Sequence, residues 1–141
     1  MPRSLSRSAR TVAASLALAL VATAHAWALP PLADNSRVMG ELVAGEVAYQ
    51  IQKHCTAISP RRLVVLAKLN QLADYARSLG YSDDDFRELT KNGPARARRD
   101  ALVDAYLASK GVVQGDAESY CRLGREEVAS KTFIGSLLNA K

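Results

Sequence analysis

Histidine, cysteine, tryptophan and phenylalanine are nearly missing from this chain of 141 residues, with two, two, one and two of each. The two histidines, His25 and His54, are too far apart for the paired-histidine zinc motif of a helix. There is no C-x-x-C, so neither a thioredoxin-like dithiol nor a C-x-x-C-H haem attachment can be built. A zinc site from His54, Cys55 and Cys121 would lack a fourth ligand and would need both thiols reduced. His54 therefore reads as a buried or partly buried neutral side chain. No G-x-S-x-G, P-loop or dinucleotide fingerprint occurs, and the scattered glycines read as helix ends. The adjacent carboxylates at Glu126-Glu127 and at Asp83–Asp85 read as solvated faces. No catalytic residue, metal ligand or cofactor is expected, and the chain reads as non-enzymatic.

Long apolar runs are lacking too. Val12 to Ala24 is apolar over 13 residues, whereas a transmembrane helix takes about 20. Arg3, Arg7 and Arg10 precede that run, and Ala24-His25-Ala26 follows it as an A-x-A site. The expectation is a cleaved secretory signal over residues 1–26 and a single domain from Trp27 to Lys141, placed in the periplasm. Removing the three arginines takes Lys+Arg from 19 to 16 against 14 Asp+Glu, a net charge of about +2 where the whole chain has +5. A nucleic-acid partner loses its support, because that reading needs a strongly basic domain. In an oxidising compartment Cys55 and Cys121 read as one disulfide, with a redox pair as the alternative.

What is present is helical pattern. Ser59 to Gly80 has the clearest borders: Ser59 as N-cap, Pro60 at the first helical position and Gly80 as left-handed stop. Its apolar side chains, with Leu69 central, fill about 200° of arc, twice what a surface helix needs. This helix is expected to organise the core, with Asn70, Asp74, Arg77 and Ser78 outside. An earlier helix runs from an Asp34–Ser36 cap to about His54. Met39, Val43, Val47 and Ile51 form one stripe, and Val38, Leu42 and Tyr49 form a second. The lead-in or the C-terminal tail covers the second stripe, or a partner does; Val38, Leu42 and Tyr49 are the candidate partner contacts there. Gly40 and Gly45 would permit close helix approach.

Ser82 caps a short third helix with Asp83 to Asp85 in its first turn, where the helix dipole favours anions. Pro94 starts a fourth helix ending at Gly111, with Ala97, Ala101, Ala105 and Ala108 on a face suited to close packing. Arg96, Arg98 and Arg99 crowd its first turns, where cations oppose the dipole. They pair with Asp83, Asp84, Asp85 or Glu88 just upstream, or they face an anionic partner. Asp116 caps a fifth helix that points Cys121 inward, and Lys131 to Lys141 reads as a short terminal helix. No stretch alternates with period two for more than a few residues. The fold class is all-α: a compact bundle of five or six short helices with one disulfide.

Leu29-Pro30-Pro31-Leu32, the run Gly40 to Gly45, Ser119-Tyr120-Cys121 and Gly124-Arg125-Glu126-Glu127 resemble a small family of exported alphaproteobacterial proteins, a domain of unknown function. Both cysteines fall at matching positions. The resemblance implies a periplasmic helical domain and supplies no catalytic residue. Through relatives encoded close to genes for the respiratory NADH:quinone oxidoreductase, it also implies an accessory subunit of a membrane complex. The reading is therefore an exported interaction protein with a protein partner. Its rivals are a disulfide-stapled periplasmic stress chaperone and an enzyme of unrecognised type, whose sign would be a pocket gathering titratable groups.

Intact mass of the exported protein should show loss of the first 26 residues and of two hydrogens. Cys121→Ala should cost about 2–5 kcal/mol in chemical denaturation. Two thiols that alkylate before reduction would remove the disulfide.

Overall fold

The computed structural model describes residues 28–91 and 93–141. The expected signal sequence and the expected new N-terminus at Trp27 lie outside the described residues.

Among the described residues, six α-helices and two very short strands follow a 3-10 turn at Leu32–Asp34. The first helix, α1 (Ser36–His54), starts where the Asn35 side chain accepts from the Val38 N–H at 3.0 Å. It is the hub. The 3-10 turn and α2 (Arg62–Ser78) pack on it from one side, and α4 (Pro94–Ser109), α5 (Ala117–Ala129) and α6 (Phe133–Ser136) from others. Its N-terminal half enters a smaller core in which Val38 and Leu42 meet Leu32, Leu72, Ala76 and Leu89. Its C-terminal half enters the larger core, where Val47, Ala48 and Ile51 meet Val103, Leu107, Leu123 and Leu137.

Cys55, the C-cap of α1, is bonded to Cys121 on α5, with the Cα atoms 5.1 Å apart and 66 residues of separation. One turn along α5 from that bond, Gly124 passes close over α1. A Cβ at Gly124 would sit 2.7 Å from Ile51 Cγ2 and 3.0 Å from Ile58 Cγ1. Only glycine lets α5 lie this near.

The helix starts follow local chemistry. Ser82 and Asp85 exchange hydrogen bonds in a complete capping box at the head of α3 (Asp83–Glu88). Those bonds from Ser82 hold the Asp85 carboxyl below its usual range. Pro94 opens α4, Asp116 caps α5, and Thr132 caps α6. Gly80 takes φ +94° just past α2, with its N–H donating to Arg77 O, as a left-handed stop requires.

Three expectations are corrected. Ser59 and Pro60 do not start a helix; they belong to β1 (Ile58–Pro60), which pairs antiparallel with β2 (Leu138–Ala140). Pro60 fits there because a two-stranded ribbon is all edge, and the missing N–H faces away from the partner. The terminal segment is accordingly a four-residue helix followed by a strand. The pairing extends beyond the ribbon: Arg61 N–H donates to Leu137 O at 2.8 Å and Lys141 N–H to Ala57 O at 2.9 Å.

The second correction is larger. The α2 helix is peripheral and does not organise the core. Only Leu72 and Ala76 on it are fully buried, while Leu63 is 84%, Leu66 56% and Leu69 45% exposed. Its neighbours, α1 and α3, cover one side only, so an apolar arc of about 200° cannot all be enclosed. The third concerns small residues. Ala97, Ala101, Ala105 and Ala108 face outward, because α4 buries the opposite side through Arg99, Val103 and Leu107. Cβ atoms built on Gly40 or Gly45 would meet nothing within 4 Å, so neither glycine serves a close approach inside this chain.

Leu72→Ala should cost about 2–5 kcal/mol, the range for a truncated core leucine. Leu69→Ala should cost well under about 2 kcal/mol, because much of that side chain is already in water. Urea denaturation of the two variants checks the assignment, and equal losses would put the phase of α2 in error.

Candidate interaction surfaces

The candidate partner contacts on α1 divide. Val38 and Leu42 are buried, at 0% and 8% exposure, beneath the lead-in turn, α2 and Leu89. They are corrected to core residues, covered by the chain itself. Tyr49 stays half exposed, with Lys53 Nζ 5.9 Å from its ring centroid.

The three arginines do not form one patch. Arg98 Nη1 meets Asp34 Oδ1 at 2.8 Å and ties the start of α4 to the 3-10 turn. Arg99 is buried and grips Asp100 through Nη2 at 2.8 Å and Nε at 3.1 Å. Arg96 Nε lies 3.6 Å from the other oxygen of Asp100. The acids expected to hold them are engaged elsewhere. Asp83 binds Arg77 at 2.8 Å, Asp84 binds Arg87, and Glu88 binds Lys91 at 2.5 Å. Both arginine pairs hold the Asp side chains on a single surface of α2 and α3 and raise the Arg77 and Arg87 pKa values, first through the hydrogen bonds.

A polar cleft of about 660 Å³ opens between α1, α4 and the turn before α5. Gln50, His54, Asp104 and Gln114 line it over a floor that includes Leu107 and Tyr120. His54 is exposed, where a buried or partly buried side chain was expected, and its ring stacks on Tyr120 with centroids 4.5 Å apart. Neither His54 nor Asp104 has a hydrogen bond or ion pair among the described residues. No serine, threonine or cysteine side chain lines the cleft, and its titratable groups are His54, Asp104 and Tyr120. Among the described residues no group of three or more His, Cys, Asp and Glu could hold a metal.

Glu127 is not on a solvated face, where it was expected, but is a buried structural carboxylate. Glu127, 4% exposed, accepts from the Tyr106 hydroxyl at 2.5 Å and from Thr132 Oγ1. This joins α4, α5 and the cap of α6. Burial first, then the Glu127 carboxylate, push the Tyr106 hydroxyl above its ordinary pKa.

The surface that sequence reasoning missed is the outer side of α2. Leu63, Leu66 and Leu69 share about 120° of arc there with Arg62. Around them, cations lack carboxylates. Arg62 has no partner among the described residues, and the Arg61 guanidinium reaches only Ser136 O at 3.1 Å. On the groove side of α2, away from Leu63 and Leu66, Lys68 lies over the Phe133 ring at 5.6 Å and Lys53 over Tyr49. The other arginines differ: Arg37, Arg77, Arg87, Arg98, Arg99, Arg122 and Arg125 each hold an acid. The available signal was an apolar arc too wide for one small helix to bury.

A family model matches residues 30–139. The chain belongs to the family of unknown function DUF5333. The match runs from the lead-in before α1 to within β2, so both cysteines and the pairs Ser59–Asn139 and Pro60–Leu138 fall inside the family domain. No curated protein and no solved structure matches the chain.

Tyr106 should leave a signature in alkali. Its raised pKa keeps the folded state protonated while the unfolded chain ionises, so stability is complete below about pH 10 and falls as pH climbs beyond it. Tyr106→Phe should lower stability at neutral pH by about 1–3 kcal/mol, by leaving Glu127 short of a donor, and should flatten the alkaline decline. Denaturation midpoints from pH 7 to 11 check both, and an unchanged alkaline slope would contradict the role given to Tyr106.

Proposed function

We propose that this protein is an exported, non-enzymatic interaction protein that works at a membrane and docks through the outward face of α2. The observation that carries the reading is the exposure of three leucines on one helix side, Leu63 at 84%, Leu66 at 56% and Leu69 at 45%. Apolar side chains scattered singly over a surface are ordinary, but grouped ones mark a place of contact. No helix among the described residues is long and apolar enough to cross a membrane, so attachment by the described part of the chain is peripheral. The paired arginines of α4 are not needed for docking, because their carboxylates lie within the chain. In its specific form the proposal is a periplasmic accessory subunit of a respiratory membrane complex.

Cell fractionation tests the reading. The wild-type protein should sediment with membranes, and a Leu63→Ser/Leu66→Ser variant should move to the soluble fraction with its melting temperature nearly unchanged, since both side chains are exposed. A double variant that remains on membranes would overturn the α2 docking face. Affinity purification from detergent-solubilised membranes then reads out the specific form, by the presence or absence of respiratory-complex subunits.

A further inference from the structure

We infer that the outward face of α2 meets an anionic phospholipid surface. The inference rests on the docking face just proposed and names its partner's chemistry. Three observations converge on it. Leu63, Leu66 and Leu69 stand out from one side of the helix as an apolar strip open to solvent, the form that settles at the boundary of headgroups and acyl chains. The cations at the head of this strip, Arg61 and Arg62, have no carboxylate partner among the described residues, although nearly every other arginine does. A positive fringe on an apolar strip complements a sheet of phosphates.

The third observation is the start of the helix. The first turn of α2 has no acidic residue, and its N-cap position, Arg61, makes no side-chain cap hydrogen bond. The backbone N–H groups at a helix N-terminus point outward and favour an anion, and here two guanidinium groups flank them. A phosphate at this end would satisfy donors that the chain leaves open, while the leucines one and two turns on enter the apolar layer. The acids nearest along α2 do not oppose this, since Asp74 is held by Arg77.

Flotation with protein-free vesicles tests the inference. The probes are vesicles of equal parts phosphatidylcholine and phosphatidylglycerol, beside vesicles of phosphatidylcholine alone. The purified protein is used with the N-terminus the cell leaves on it, and every variant shares that N-terminus. The protein should bind the anionic vesicles and bind the neutral ones far less. Leu63→Ser/Leu66→Ser should lower partitioning by more than about tenfold. Arg61→Gln/Arg62→Gln should lower it by about fivefold for each charge removed, and binding should weaken as salt is raised. Leu102→Ser, an exposed leucine on α4, should leave partitioning unchanged.

Equal binding to neutral vesicles, or partitioning that neither double variant lowers, would overturn the inference. Failure to bind vesicles, while native membranes still retain the protein and lose it on Leu63→Ser/Leu66→Ser, would overturn the lipid and leave the docking face standing with a membrane protein as its partner. Retention of the leucine variant by native membranes would overturn both.

Discussion

The close crossing of α1 and α5 is the constraint on which the other elements depend. At Gly124 the two helices approach until Ile51 and Ile58 fill the space a side chain would take, and the Cys55–Cys121 bond closes the same junction from the other end. With α5 held there, α6 and β2 can fold back over the larger core, and β2 reaches β1. The Tyr106–Glu127–Thr132 bonds then bind α4 to the same junction. A buried carboxylate without a cation is tolerable because its oxygens have hydroxyl donors from two different elements.

Much of the secondary structure was legible because it is written locally. Asn35, Ser82, Pro94 and Asp116 each announce a helix within three residues of themselves, and Gly80 announces an end. The inward-facing Cys121 followed from its spacing with Tyr120 and Gly124 on one helix. Features that depend on distant residues were not legible. Strands of three residues are too short to show a period, and nothing near Ser59 says that Asn139 will lie opposite it. Arg98 found Asp34, 64 residues away, where the nearer acids suggested otherwise. The outer face of α2 was misread for a related reason. Periodicity tells which side chains share a face, but the number of neighbouring elements decides whether that face is covered.

Charge is sorted over the surface as well as balanced. Most arginines are spent in pairs such as Arg37–Glu41 and Arg122–Glu126, one helical turn apart, where exposed ion pairs contribute little to stability. Such pairs neutralise a surface. The region around Arg61 and Arg62 lacks them, so its positive potential is not cancelled at short range. The polar cleft beside His54 and Asp104 lies on the far side of α1, between α1 and α4, and shares no lining residue with the grooves beside α2.

The order of elements along the chain has a consequence for how the protein is made. The larger core joins α1 to residues between Val103 and Leu138, and the strand that completes it is at the very end of the domain. While the chain emerges from a ribosome, Val47 and Ile51 have only α4 against them until α5 is out, and Ile58 has no strand partner until Ala140 follows. Cys55 is equally without its mate until Cys121, 66 positions later, is out. The two cores therefore differ in when they can close: the smaller one needs nothing beyond Leu89, while the larger one waits for α5, α6 and β2.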